Sequence, residues 1–194
     1  MSIAAITMLA ATVGMVIQTG GAGKPNDKSV SVCVENTAGF DVLPLAQQTA
    51  SRMFAEAGVT IDWRRGLVGC SVEGILISLF GASSHAPADL PPQALAYALP
   101  YEGSHIVIFY DRLQQKVKPA QMSSLLAHVL VHELTHILQG IHRHSRRGLM
   151  KATWDGSDYQ AMMWKPLPFT PEDIELIHLG LAARAVRAAS PPPQ

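Results

Sequence analysis

The stretch that decides the fold of this chain is His132-Glu133-Leu134-Thr135-His136. Hydrophobic spacing places it inside a helix, where His132 and His136, four residues apart, lie on one side about one turn from each other. Both imidazoles can therefore reach one metal ion. Glu133 directly follows the first histidine and points off at an angle, so it can contact a water at the metal without being a ligand. A general base is needed at that place.

A third histidine follows this pair closely. Pro119 suits the first position of a long helix that runs to Gln139 and ends at Gly140. Beyond that end the chain can reverse and bring back His142 as a third nitrogen ligand. Three protein ligands and an open fourth position are typical of catalytic zinc, whereas structural zinc is usually closed by four ligands, mostly cysteine. The spacing therefore predicts one catalytic Zn²⁺, held by the helical pair and His142.

The amino-terminal residues differ from the rest in composition. Residues 3–17 are mostly apolar, small residues fill 19–23, and no Lys or Arg occurs before this point. The pattern predicts a signal peptide over 1–23, with an uncleaved membrane anchor as the alternative. We therefore expect a secreted or periplasmic protein, with a catalytic domain at 24–188 and a disordered tail at 189–194.

Composition fits one folded domain without a charged binding surface. Of 194 residues, 48% are hydrophobic and 15% are charged, which argues against disorder. Lys plus Arg and Asp plus Glu are equal at 15 each, so no net field attracts nucleic acid or an anionic membrane. We expect no nucleic-acid partner, no membrane contact beyond a possible N-terminal anchor, and a monomer. The two cysteines, Cys33 and Cys70, favour a disulfide in an exported protein, with two unpaired buried thiols as the alternative.

Hydrophobic periodicity predicts an α/β fold. Strands are predicted at 29–34, 59–63, 74–80, 95–99 and 104–110, and helices at 41–57, 119–139 and from about 170 to 188. The first strand, first helix and second strand form a βαβ unit, which requires parallel strands. The apolar run 106–109 is typical of a central strand. Pro100, at the end of 95–99, favours an edge position for that strand.

The histidine motif resembles that of the metzincins, a clan of zinc endopeptidases with His-Glu-x-x-His-x-x-Gly-x-x-His and a later methionine turn. The order of elements over 29–188 is similar to the metzincin catalytic core. The segment Phe169-Thr170-Pro171-Glu172-Asp173-Ile174 also resembles the opening of the last helix in matrixins. The resemblance implies a small matrixin-like catalytic domain with a zincin fold: a twisted mixed sheet with an antiparallel edge strand, an active-site helix and a C-terminal helix.

The resemblance also implies roles for single residues. It assigns zinc ligation to His132, His136 and His142, and the general base and acid to Glu133. It makes Met150 the methionine below the metal, although an ordinary core methionine is the alternative. The edge strand above the cleft, which would pair with an extended substrate, comprises Leu95, Ala96, Tyr97, Ala98 and Leu99.

One motif position departs from the family pattern. The family glycine falls on Gln139, while the glycine of this chain is Gly140, one place later. The geometry of the turn and the reach of His142 are therefore in question, and His144 is the alternative third ligand. His128, one turn before the motif, is expected to be packed or to flank a ligand.

The expected function is zinc-dependent hydrolysis of peptide bonds, with a peptide or protein as substrate. Two alternatives share the same site. One is a non-catalytic zinc protein that binds peptides along the edge strand, and the other is a zinc amidohydrolase that acts on a non-peptide substrate. The basic cluster of His144, Arg143, Arg146 and Arg147 is expected to be a solvated turn, with a preference for acidic substrate residues as the alternative.

Overall fold

The computed structural model describes residues 28–36, 41–66, 68–71, 73–82, 86–88, 90–99 and 104–189. The expected signal peptide and the last five residues of the expected tail lie outside these ranges, as does Pro100. Within the ranges, every helix is either too short or too polar to span a bilayer.

In the part of the chain that the structure describes, five strands form one mixed sheet. They are β1 (Ser29–Asn36), β2 (Thr60–Arg65), β3 (Ile75–Phe80), β4 (Ala96–Ala98) and β5 (His105–Phe109). Their order is β2-β1-β3-β5-β4. Neighbours pair in parallel from β2 to β5, and β4 pairs antiparallel with β5. The expected α/β class, the parallel βαβ unit and the antiparallel edge strand are confirmed.

Burial explains why β5 lies inside the sheet. All four residues of 106–109 are buried, so both faces of the strand are covered. In β1, the alternate residues Val30, Val32 and Val34 are buried, and the intervening Cys33 is buried as well. Cys33 bonds to Cys70 with an S–S distance of 2.06 Å, which joins β1 to the loop that leads into β3.

Within the described residues, five α-helices accompany the sheet. They are α1 (Leu43–Glu56), α2 (Tyr110–Gln114), α3 (Met122–Gln139), α4 (Gly156–Trp164) and α5 (Pro171–Ala189). The sequence predicted α1, α3 and α5. As predicted, Pro119 begins the helical segment, whose first turn, Pro119–Gln121, is 3₁₀ and continues directly into α3. The prediction was wrong at Tyr110, which begins α2 and does not extend β5. Neither α2 nor α4 was predicted.

Helix α3 is the centre of the molecule. Of its 18 residues, 15 are buried, so the helix is covered on nearly all sides. It packs against α1 and α5, and its flank lies beside the edge strand β4. The histidine motif on α3 therefore lies between a helical core and the open edge of the sheet.

Candidate metal centre

Four imidazoles converge at the carboxyl-terminal end of α3. The ring centroids of His132 and His136 are 4.8 Å apart, and the ring of His144 lies 5.3 Å from the first and 4.9 Å from the second. The ring of His142 lies 5.0 Å from His136 and 5.1 Å from His144. Helical spacing accounts for the first pair, and the chain reversal after α3 supplies the other two.

Two backbone carbonyls determine which nitrogen each helical imidazole offers. Nδ1 of His132 lies 3.1 Å from the Leu149 carbonyl, and Nδ1 of His136 lies 3.3 Å from the Ile141 carbonyl. A carbonyl only accepts hydrogen bonds, so in each neutral imidazole Nδ1 carries the proton and Nε2 carries a lone pair. The two Nε2 atoms are 3.1 Å apart. Two lone pairs at this distance cannot hydrogen-bond to each other, whereas a cation can be held by both.

The donors fit zinc. Tetrahedral zinc with Zn–N distances of about 2.0–2.1 Å places two ligand nitrogens about 3.3 Å apart, close to the observed 3.1 Å. One nitrogen from each of His132, His136 and His144 lies within 4.8 Å of the other two. Neutral imidazole is a good zinc ligand, and zinc with three such ligands retains an open position.

The third imidazole of this group belongs to His144, whereas the sequence favoured His142. The His144 ring contacts both helical histidines, while the His142 ring contacts only His136 of that pair. His142 is also exposed to solvent, whereas His144 is half-buried. The observed group of three therefore contains His144 and not His142, and which of the two completes a metal site stays a prediction.

The position of the glycine turn explains this difference. Gly140 has a left-handed φ of +69° and ends α3, so Gln139, at the family's glycine position, is still helical. The chain therefore reverses one residue later than the glycine of the metzincin motif would place the reversal. The histidine that meets the helical pair also comes later in the sequence. Arg143 points away from the imidazoles that flank it, as expected where an extended chain alternates its side chains.

Burial shifts the pKa values of the motif residues. Burial lowers the pKa of His132 to about 4. Burial, together with the neighbouring His132, lowers the pKa of His136 to about 3, so both imidazoles stay neutral at physiological pH. Burial raises the pKa of the Glu133 carboxyl to about 8. A cation held by the neighbouring histidines would oppose that shift and favour the carboxylate, the form in which Glu133 can accept a proton.

The segment that contains Met150 forms a closed turn below the histidines. Leu149 and Met150 are fully buried, and the Leu149 carbonyl is the acceptor for His132. The Met150 carbonyl accepts a hydrogen bond of 2.7 Å from the Ser145 amide. The turn is thus bonded both to the helical motif and to the segment after α3.

A cleft of about 470 Å³ connects the histidines with the edge strand. Its lining includes Glu133, all four imidazoles and 94–98. The predicted strand 95–99 is shorter in the structure, but Leu95 and Leu99 continue its pairing through hydrogen bonds with Phe109 and His105. The opposite edge of β4 has no partner strand among the described residues.

Several residues around the site received no role from the sequence. Trp154 is nearly buried, donates to the Leu149 carbonyl at 3.1 Å, and contacts His132 edge-on at 5.4 Å between ring centroids. Its position in the loop after Met150 could have indicated that it lies near the site, but only the folded structure shows the contact with His132. Asp173 appeared in the sequence only as part of the segment that opens the last helix. Its carboxylate is fully buried against the segment after α3.

The solvated turn expected around Arg143 is wrong for that residue. Arg143 pairs with Asp173 at 2.9 Å and also with Glu172. Burial alone would raise the pKa of Asp173, but hydrogen bonds from Ser145, Thr170 and Arg143 outweigh it, and the pKa is lowered. An ionised carboxylate therefore lies within the fold next to the segment after α3 that carries His144.

Comparison with known proteins gives a likeness in fold. No protein-family model matches this sequence, and no curated protein does. Among solved structures, the chain is similar to the crystal structure of archaemetzincin from Methanopyrus kandleri. The TM-score is 0.58 at 15% sequence identity, and the likeness covers 81% of this chain and 98% of that chain. The fold is metzincin-like. The likeness to archaemetzincin concerns the fold alone, and the matrixin-like subtype stays a prediction.

Proposed function

We propose that this protein is a zinc-dependent peptidase. The carrying observation is the pair of lone-pair nitrogens, Nε2 of His132 and Nε2 of His136, held 3.1 Å apart. A third imidazole, that of His144, and the Glu133 carboxyl line the same cleft. This donor set suits a catalytic zinc ion with one open position. The metzincin-like fold and the archaemetzincin neighbour support the same reaction class.

The residues of the site divide into two roles in the proposed reaction, metal ligands and a proton carrier. His132, His136 and His144 would hold one zinc ion, which supplies Lewis acidity for the scissile carbonyl and for the attacking water. Glu133 accepts a proton from that water as it attacks the carbonyl carbon. The same carboxyl then donates this proton to the leaving nitrogen, and the C–N bond breaks. A carboxyl that alternates between base and acid is best served by a pKa near neutrality.

The substrate would be an extended peptide at the outer edge of β4. That edge lines the cleft beside Glu133, and its backbone groups face no other strand in the described part of the chain. An extended peptide can add itself to such an edge through main-chain hydrogen bonds. Such pairing would bring the scissile bond next to the histidines without requiring a particular side chain.

Zinc content and peptide cleavage test the proposal. We expect the wild-type protein to hold one zinc ion and to cleave casein or mixed peptides. Glu133→Gln should retain the zinc and lose cleavage by about 10²- to 10⁴-fold, because the ligands remain and the base is absent. Glu175→Gln, at an exposed position on α5, is the matched control and should cleave like wild type.

Two outcomes would reject the peptidase. Wild-type protein that holds zinc, retains labelled peptides and cleaves none of them would be a binding protein. Cleavage of small amides that depends on Glu133, with no peptide cleaved, would indicate a non-peptide amidohydrolase.

Export is part of the proposal. The bonded Cys33 and Cys70 suit an oxidising compartment, since disulfides are rare in cytosolic proteins. The apolar residues 3–17 are consistent with a signal peptide. Fractionation of the native host tests export, and N-terminal sequencing of the mature protein tests removal of the signal peptide. Intact protein confined to the cytosol would reject export.

A further inference from the structure

Asp173, in the first turn of α5, has a fully buried carboxylate with three donors. Oδ1 accepts hydrogen bonds from Arg143 Nη1 at 2.9 Å and from Ser145 Oγ at 2.6 Å. Oδ2 accepts the Thr170 amide at 2.9 Å. Charge-assisted bonds of this kind are strong and directional, so Asp173 holds its partners in a defined geometry.

The two donors to Oδ1 are the residues on either side of His144. Arg143 precedes it, and Ser145 follows it. The Ser145 amide is also bonded to the Met150 carbonyl at 2.7 Å. The backbone on both sides of His144 is therefore tied to α5, and on one side also to the turn below the motif.

His142 has no comparable attachment. Its side chain is exposed, and in the described part of the chain it makes ring contacts with His136 and His144 but no hydrogen bond. His142 and His144 are two residues apart, and both face the motif. Sequence spacing alone therefore leaves two histidines that can compete for one ligand position.

We propose that Asp173 is a positioning residue that selects His144 as the third metal ligand over His142. It acts through Arg143 and Ser145, which it fixes on both sides of the chosen histidine. The proposal rests on the zinc site of the proposed function and adds which histidine completes it. We call the hydrogen bonds from Arg143 and Ser145 to Asp173 the clamp. Release of this clamp should let His142 take part in metal binding.

Zinc affinity, measured by competition with a chromophoric chelator, tests the selection. In the wild-type background, His144→Ala should weaken zinc binding by more than about 100-fold, because a ligand is lost. His142→Ala should change it by less than about threefold. Asp173→Asn should weaken binding by about 10- to 100-fold, the usual range for residues that orient metal ligands.

The double variants carry the decisive result. In the Asp173→Asn background, His142→Ala should cause a further loss of about tenfold, and His144→Ala should cost less than it does in wild type. A purely structural role for Asp173 would lower stability without changing which histidine contributes to zinc affinity.

Ser145→Ala removes one of the two hydrogen bonds of the clamp and should likewise increase the effect of His142→Ala on zinc affinity. It replaces Asp173→Asn in this test if that variant does not fold. Glu172→Gln removes the exposed partner of Arg143 and should leave zinc affinity unchanged.

The possible failures are distinguishable. Wild-type protein without measurable zinc affinity would overturn the proposed function and the selection together. Stoichiometric zinc that is lost in His142→Ala but kept in His144→Ala would overturn the selection alone. So would equal losses from the two histidine variants in the wild-type, Asp173→Asn and Ser145→Ala backgrounds.

Discussion

His128 shows how a buried histidine near the motif can be satisfied without a metal. Nδ1 lies 2.7 Å from the Ser124 carbonyl, and Nε2 accepts the Leu167 amide at 3.0 Å. Both ring nitrogens are used, and only the neutral ring can accept at Nε2. His128 therefore joins α3 to the segment that leads into α5. Of the two roles expected from the sequence, packing describes it better than ligand contact.

Protonation of His128 should destabilise the fold. Burial lowers its pKa, although the bond to Ser124 opposes this. The unfolded chain, with a His pKa of about 6.5, then binds protons more readily than the folded protein, so the free energy of unfolding falls as the pH drops below that value. The contribution is complete above about pH 6.5. In zinc-free protein, urea titrations from pH 8 to 5 should show a shallower dependence for His128→Gln than for wild type. Parallel curves would contradict this assignment.

At the scale of elements, α5 crosses α3 so closely that only glycine fits. A Cβ at Gly180 would lie 1.8 Å from the Leu138 carbonyl oxygen. Alanine is favoured over glycine in a helix by about 1 kcal/mol, but here it would force two backbones apart. We expect Gly180→Ala to lower the free energy of unfolding by about 1–3 kcal/mol or more in urea titrations. Gly156→Ala, in α4 with open space around it, should stay within about 0.5 kcal/mol of wild type. Equal effects of the two substitutions would disprove the close crossing.

The turn below the motif depends on a second close approach. Gly148 has a φ of +76°, and a Cβ there would lie 2.4 Å from the Pro168 carbonyl oxygen, which accepts the Leu149 amide at 3.0 Å. Gly66 has a similar φ of +68° with open space around it. Gly66→Ala should therefore cost about 1–2 kcal/mol, the strain of a left-handed alanine. Gly148→Ala should cost more, and thermal unfolding of both variants measures the excess. If the Gly148→Ala protein is as stable as the Gly66→Ala protein, the turn accommodates a Cβ at residue 148 without a steric cost.

Elements with a strong hydrophobic period could be predicted from the sequence, whereas short or tertiary features could not. The helical spacing of apolar residues in α3 and α5 and the valines of β1 were enough to predict these elements, because each pattern reflects burial along a single element. Helix α4 buries only Met162, so it leaves almost no pattern. The choice between His142 and His144 depends on Arg143 and Asp173, which are 30 residues apart and meet only in the folded chain.

For the molecule as a whole, the disulfide ties the sheet to a loop, and neither of its cysteines lines the cleft. Cys33 lies in β1, and its bond to Cys70 closes a loop with a sequence separation of 37 residues. In the chain-entropy model, a loop of this length stabilises the fold by about 4 kcal/mol. The sheet order places β3 and β5 between β1 and the edge strand of the cleft. The bond should therefore contribute to stability and hardly at all to metal binding.

Reduction tests this separation of stability from function. Under reducing conditions, we expect the free energy of unfolding to fall by about 4 kcal/mol, measured in urea on zinc-free protein. Zinc affinity, measured where the reduced protein is still folded, should change by less than about threefold. The double variant Cys33→Ala, Cys70→Ala should be destabilised in oxidising buffer and should not respond further to reductant. A large loss of zinc affinity on reduction, with the fold intact, would mean that the sheet transmits strain from β1 to the cleft, because β3 and β5 are the strands that connect them.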